Sequence, residues 1–268
     1  MSDLVPPRRD DQIQYVDGGY RSAGQPPSMV GRTFPTLHFY QQFVRNVLRS
    51  SRVAKRGRYD NETWSRTSFE VLRALESVGI TVEVAGTGNL QSLHSPCVFV
   101  GNHMSMLETI VLPAIVQPIC DVTFVVKQSL VDYPVFRHIL GSRNPIAVSR
   151  VNAREDFKVV MTQGAERLQR GISVVVFPQT TRSTSFDPSQ FNSIGIKLAS
   201  RCGVPVIPIA LRTDAWGNGK RIKDLGPIDP SKTVHFEFGS PIDVVGRGEA
   251  QHQQVIEFIE SRLASWAD

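Results

Sequence analysis

The chain has 268 residues, 41% hydrophobic and 21% charged, which suits a folded body with a sizeable core and excludes a wholly disordered or fibrous chain. The longest apolar stretch, residues 109–116, is broken by Pro113 and is far shorter than the ~20 residues of a membrane-spanning helix. The net charge of +5 is uneven: residues 31–58 carry seven basic residues and no acidic one, and the remainder is slightly acidic. That segment suits an anionic surface, either lipid headgroups or nucleic acid.

Cys97, Cys120 and Cys202 are widely spaced and form no CxxC, which argues against a disulfide scaffold and most zinc sites. A reducing, cytoplasmic setting fits that usage. The opening MSDLVPPRRDD has no apolar run behind its charges, so no export signal is expected.

In chain order, residues 1–30 are rich in Pro, Gly, Ser and charge and are expected to form a flexible tail. Helical spacing begins at Leu37 and runs to Lys55. Leu37, Phe39, Tyr40, Phe43, Val44, Val47 and Leu48 cover one half of the wheel, and Arg45, Arg49, Arg52 and Arg56 stack on the other. Two readings stay open: a helix packed on the domain, or one lying in a membrane interface. A nucleic-acid arm fits less well, because the aromatics share one face. A second helix is expected from about 61 to 77, with Gly79 as its stop.

An α/β rhythm follows. Strands are expected at 80–85, 97–101, 122–127, 145–149, 173–177, 204–211 and 234–238. Helices are expected from about 106, at 154–170, at 193–201 and at 249–266. Strands alternating with helices imply an α/β fold with a mixed, largely parallel sheet flanked by helices, preceded by the amphipathic helix pair.

The segment VFVGNHMSMLE places Asn102 and His103 where a strand turns into a helix, the end at which such folds hold ligands. A carboxylate holding one imidazole nitrogen leaves the other free as a base, and Glu108 is the nearby acid. An alternative stays open, because Ser105-x-x-Glu108 is also a well-formed capping box. The segment VVVFPQTTRST opens a strand into Gln179, Thr180, Thr181 and Arg182, whose hydroxyls and guanidinium suit a phosphate or a plain polar loop. Arg150 in IAVSR and Lys127 in TFVVK also follow strands, and the three basic residues make an anion pocket plausible.

At these residues the chain resembles the glycerolipid acyltransferases. NHMSMLE, PIAVSR, FPQTTRS and VPVIP match that family's four blocks in order, and the lysine-bearing FVVKQSLVDYPVFRHILG fits between the first two. The resemblance covers about residues 80–240. Three residues depart from the usual pattern: Glu108 for aspartate, Gln179 for glutamate and Thr180 for glycine. They bear on the acceptor more than on the reaction, because His103 and Arg182 are kept.

The resemblance implies transfer of a fatty acyl group from acyl-CoA or acyl-carrier protein to the free hydroxyl of a lysophospholipid, 1-acylglycerol 3-phosphate foremost, giving phosphatidic acid. His103 and Glu108 would be catalytic. Arg150, Arg182 and Lys127 would bind the acceptor phosphate. Asn102, Gln179, Thr180 and Thr181 would line the substrate pocket. No metal or cofactor is implied beyond the acyl donor, and no nucleic acid. The expected organisation is a tail (1–30), a membrane-docking helix pair (31–79) whose residues 37–56 meet anionic lipid, and an acyltransferase domain (80–268) at the inner face of the cell membrane. Glycerol 3-phosphate or a lyso-aminolipid as acceptor, a lipid hydrolase, and a non-catalytic lipid-binding protein are the alternatives. The absence of GxSxG counts against the hydrolase.

Overall fold

The computed structural model describes residues 12–24, 26–179, 181–219 and 223–267. Its elements in chain order are β1 (Tyr20–Arg21), α1 (Met29–Thr33), α2 (Pro35–Lys55), α3 (Asn61–Glu76), β2 (Val82–Ala85), α4 (Gly88–Gln91), β3 (Val98–Gly101), α5 (Leu107–Val116), β4 (Val122–Lys127), α6 (Gln128–Asp132), α7 (Arg137–Gly141), β5 (Ile146–Val148), α8 (Ala153–Gln169), β6 (Ser173–Val176), α9 (Ile194–Cys202), β7 (Val206–Arg212), β8 (Val234–Phe238) and α10 (Glu249–Ser265).

Local chemistry sets many of these limits. Asp60 caps α3 by accepting a hydrogen bond from the Thr63 amide, and Asn152 caps α8 through the amides of Arg154 and Glu155. Gly203 ends α9 in the left-handed region at φ 64°, where a side chain is disfavoured.

The strands form one mixed sheet in the order β1-β2-β8-β7-β3-β6-β4-β5 among the described residues. The five strands β7, β3, β6, β4 and β5 are mutually parallel. The β2–β8 pair is parallel within itself but runs opposite to them. Strand alternation then divides the apolar residues between two layers. Phe99, Val175 and Ile207 face α2, α3 and α5. Val98, Val100, Val174 and Val176 face α8, α9 and α10. Because the central strands are covered on both sides, they read as continuous valines.

The helix pair shares the first of these cores. Phe39 and Phe43 of α2 pack edge-on against Trp216 at centroid distances of 4.8 and 5.0 Å. Leu72 and Leu75 of α3 join the same cluster. The apolar arc of α2 is therefore divided. Phe39, Phe43 and Val47 are buried, whereas Leu37, Val44 and Leu48 are exposed. The packing reading holds for the buried part of the arc. Among the described residues no helix is long and apolar enough to cross a membrane.

The expectation of a flexible tail over 1–30 is corrected where the structure describes it. Tyr20 and Arg21 pair antiparallel with Val84 and Glu83. Tyr15 donates to the Ile115 carbonyl at 3.2 Å, Ser22 donates to Glu76 at 2.6 Å, and Ile13 is buried. The physical reason is the open edge of β2, whose unpaired backbone groups β1 covers. Residues 1–11 lie outside the described residues.

Candidate active site

The C-terminal ends of the parallel strands converge at one edge of the sheet, and three of the four resembling blocks reach it, while VPVIP lies at the start of β7. Asn102 and His103 follow β3, Lys127 ends β4, Arg150 follows β5, Phe177 follows β6 and Thr213 follows β7. The local sequence brings the chain out of each strand, and the strand order sets which loops meet.

Glu108 lies in the first turn of α5 and is fully buried. Its Oε1 accepts from His103 Nδ1 at 2.7 Å, from the Met104 amide at 2.8 Å and from the Ser105 amide at 3.0 Å. Its Oε2 accepts from the Thr213 hydroxyl at 2.6 Å. Burial alone would raise this carboxyl. The hydrogen bonds from His103 and Thr213, with the charge of His103, outweigh burial and hold it below the usual carboxylate value. An ionised Glu108 requires Nδ1 to carry the proton, so the lone pair of neutral His103 lies on Nε2. Among the described residues Nε2 has no hydrogen-bond partner. The capping interaction and the dyad coexist: Glu108 takes the Ser105 amide and the imidazole with the same oxygen.

The loop after β6 completes the seat of His103. The ring of Phe177 stacks on the imidazole at 4.7 Å with planes 7° apart. Gln179 Oε1 accepts from the His103 amide at 2.6 Å, and the Ser183 amide donates to the His103 carbonyl at 3.0 Å. The imidazole is thus held at its Nδ1, along its ring face and at both backbone groups.

Two expected pocket residues are buried and bonded within the protein. Asn102 is buried, donates to the Leu211 carbonyl at 2.8 Å and accepts from the Leu211 amide at 2.9 Å. This continues the pairing of β3 with β7 by one side chain. Gln179 is likewise buried, and its Oε1 is turned to His103. An isosteric amide keeps the acceptor that the His103 amide needs. Thr180 lies outside the described residues.

The basic residues lie in the segments that end or follow neighbouring strands. Arg150 has a positive φ of 60°, a conformation that costs a non-glycine residue about 1 kcal/mol. Asp156 holds that turn by accepting from the Ser149 and Arg150 amides at 2.8 and 2.7 Å. Burial, and then the Arg182 guanidinium, push Arg150 below the ordinary arginine value, so the two guanidiniums share one region. Lys127 is exposed at the end of β4, opposite Val148 of β5.

Sequence reasoning missed a second contributor, the loop between β7 and β8. Asp224 from that loop forms a salt bridge with Arg182. Lys223 donates to the Thr181 hydroxyl at 2.6 Å. Neither has a local sequence signal, because only the fold brings that loop over FPQTTRS.

An apolar cavity of about 120 Å³ is lined by Thr123 and Val126 of β4, Thr109 and Ile110 of α5, Trp64 of α3, and Tyr59. Among the described residues no cluster of His, Cys, Asp and Glu could hold a metal ion.

Comparison with known proteins bears on this arrangement. A 1-acyl-sn-glycerol-3-phosphate acyltransferase of Pseudomonas aeruginosa is 33% identical over 155 residues, 58% of each chain. A chloroplastic enzyme of the same name from Brassica napus is 30% identical over 138 residues, 52% of this chain and 38% of the relative. The chain thus spans less than two thirds of the length of these relatives. The crystal structure of the 1-acyl-sn-glycerophosphate acyltransferase from Thermotoga maritima superposes with a TM-score of 0.66, covering 87% of this chain and 96% of that one at 20% identity, which shows a common fold. Residues 81–212, just under half of the chain, contain the four blocks with His103 and Glu108 and match the model of the Acyltransferase family.

Proposed function

We propose that the protein transfers a fatty acyl group from an acyl thioester, carried by CoA or acyl-carrier protein, to the free hydroxyl of 1-acylglycerol 3-phosphate, giving phosphatidic acid. The observation that carries this reading is the buried Glu108 bonded to His103 Nδ1, with Nε2 unengaged at the strand ends. Nε2 removes the proton of the acceptor hydroxyl as its oxygen attacks the thioester carbonyl. The tetrahedral species then collapses and expels the thiolate, which takes the proton back from the imidazolium. Glu108 stabilises the imidazolium between the two steps. Oxygen attacks the thioester directly, so the step needs no enzyme-bound acyl group. Arg150, Arg182 and Lys127 are the acceptor phosphate ligands in this reading, and the cavity beside β4 takes the acyl chain of the donor.

The exposed stripe Leu37, Val44 and Leu48 would lie in the bilayer interface at the inner face of the cell membrane. At 100° per residue Arg45 and Arg52 flank that stripe, level with anionic headgroups. Arg49 contributes less, because it pairs with Glu70.

A second acceptor class has one observation in its favour. Asp224 on Arg182 gives the anion region a mixed charge, which suits an acceptor carrying an ammonium beside its anion, as a lyso-aminolipid does.

One assay tests these readings. The purified protein is given acyl-CoA or acyl-carrier-protein thioester with lysophosphatidic acid, glycerol 3-phosphate or a lyso-aminolipid. Phosphatidic acid as the main product supports the first reading, and preferential acylation of the lyso-aminolipid supports the second. No acyl transfer from either donor to any acceptor removes both. Co-sedimentation with phosphatidylglycerol vesicles tests docking. Serine at Leu37, Val44 and Leu48 should abolish binding, and glutamine at Arg45 and Arg52 should weaken it at low salt, by about 1 kcal/mol for each arginine. Unchanged binding by both variants would mean that α2 serves the fold alone.

A further inference from the structure

Thr213 is fully buried just past the end of β7 and lies 105 residues from Glu108 in sequence, yet it meets the carboxylate at 2.6 Å. The proton count assigns this bond. Ser105 has one hydroxyl proton and three acceptors within reach: Glu108 Oε2 at 3.1 Å, the Thr213 carbonyl at 3.0 Å and Thr213 Oγ1 at 3.0 Å. The Thr213 hydroxyl has a much closer acceptor in Oε2. Thr213 therefore donates to Glu108, and Ser105 is free to donate to Thr213. Ser105 Oγ also accepts from the Leu107 amide at 3.1 Å, which ties the network to the start of α5.

The two carboxylate oxygens have different company. Oε1 takes the imidazole and two amides, while Oε2 depends on Thr213 and on longer contacts to Ser105. Rotation about the last bond of a glutamate is soft and broadly distributed. A carboxylate held at one oxygen can turn about it and carry the imidazole out of line. Held at both, it cannot. This matters more for Glu108 than for an aspartate, because the extra methylene adds one more torsion to fix.

We propose that Thr213 is a positioning residue of the acyl transfer, acting through Glu108 to fix the tautomer and direction of His103. It rests on the reading of His103 as the base. It adds β7, the strand next to β3, to the catalytic assembly. Its hydroxyl touches no substrate, so its loss should appear in kcat and not in the KM of either substrate.

The test is a kinetic comparison of folded variants using acyl-CoA and lysophosphatidic acid. Thr213→Val keeps the shape and removes the donor. Its kcat should fall by roughly 10- to 100-fold, the range for losing a hydrogen bond to a charged group, with both KM values close to wild type. Thr213→Ser should restore most of the rate. In a Glu108→Gln background, Thr213→Val should add little further loss, because the two residues act as a unit. In wild type the His103 Nδ1 proton should give a downfield NMR signal that Thr213→Val shifts and Thr213→Ser retains. If Thr213→Val does not fold, Thr213→Ala carries the same comparison. A folded Val or Ala variant with wild-type kcat overturns the proposal, as does a Ser variant as slow as Val, or losses that add fully to Glu108→Gln. His103→Ala separates the two levels. An active His103→Ala enzyme sinks the base reading and Thr213 with it, whereas an inactive one beside an active Thr213→Val sinks Thr213 alone.

Discussion

The turn after β3 and the loop after β6 meet at His103, and they use their polar groups in opposite ways. The turn spends everything inward: Asn102, Ser105 and Glu108 are buried, each with its partners within the protein. The loop is divided. Phe177 and Gln179 turn back to the imidazole, while Thr181 and Arg182 reach the rim and are met by Lys223 and Asp224. A base needs a fixed direction, which buried and fully paired groups supply. An acceptor site must exchange partners with each turnover, which partly exposed charges allow. On the proposed reading, the border between positioning the base and recognising the acceptor runs through the loop after β6, between Gln179 and Arg182.

The largest effects should come from the inward side. His103→Ala should lower kcat by roughly 100- to 10,000-fold with an unchanged melting profile, measured as phosphatidic acid formed per enzyme. Glu108→Gln should also be severe, because an amide can face Nδ1 with its oxygen yet cannot stabilise the imidazolium. Gln also serves in a capping box, so a fully active Glu108→Gln enzyme would reduce Glu108 to a cap.

Gln179 tests where the border lies. Gln179→Leu leaves the His103 amide without its acceptor, at about 1–3 kcal/mol in stability. Its melting temperature and kcat should both fall, and the acceptor KM should hold. Gln179→Glu keeps the acceptor atom and should stay active with its acceptor KM unchanged. A marked change in acceptor KM in either variant would move Gln179 to the reading side, where its sequence position alone would put it.

The sequence was legible where structure is local. The valine runs of β3 and β6 and the amphipathic spacing of α2 carry their periods in neighbouring residues. So does the pairing of His103 with Glu108, five positions apart. What stayed hidden depends on strand order. Placing β3 between β7 and β6 brings Leu211 to Asn102, Thr213 to Glu108 and Gln179 to the His103 amide. None of these follows from spacing, since each joins residues more than 70 positions apart. The short β1 was missed for a similar reason: its pattern is that of a polar tail until the edge of β2 is there to receive it.

The smallest effects should come from the outward side, and they fall on KM. Arg182→Ala should raise the KM for lysophosphatidic acid by roughly 10- to 100-fold, as expected for losing a bond to a charged group, while the KM for acyl-CoA holds. Arg182→Lys should recover part of this, since a point charge cannot reproduce the two-pronged contact. Asp224 sharpens the point, because a phosphate must compete with that carboxylate for the same guanidinium. The pair is partly exposed, with side-chain accessibilities of 15% for Arg182 and 39% for Asp224, so it is worth at most about 1 kcal/mol. Asp224→Asn should therefore lower the lysophosphatidic acid KM by up to about fivefold and leave kcat alone. For an acceptor bearing an ammonium the sign reverses: Asp224→Asn would raise its KM by removing the group that meets the amine. Steady-state kinetics on both acceptors decides between these signs. A change in kcat with neither KM moving would place Asp224 on the positioning side and erase the distinction between the two regions.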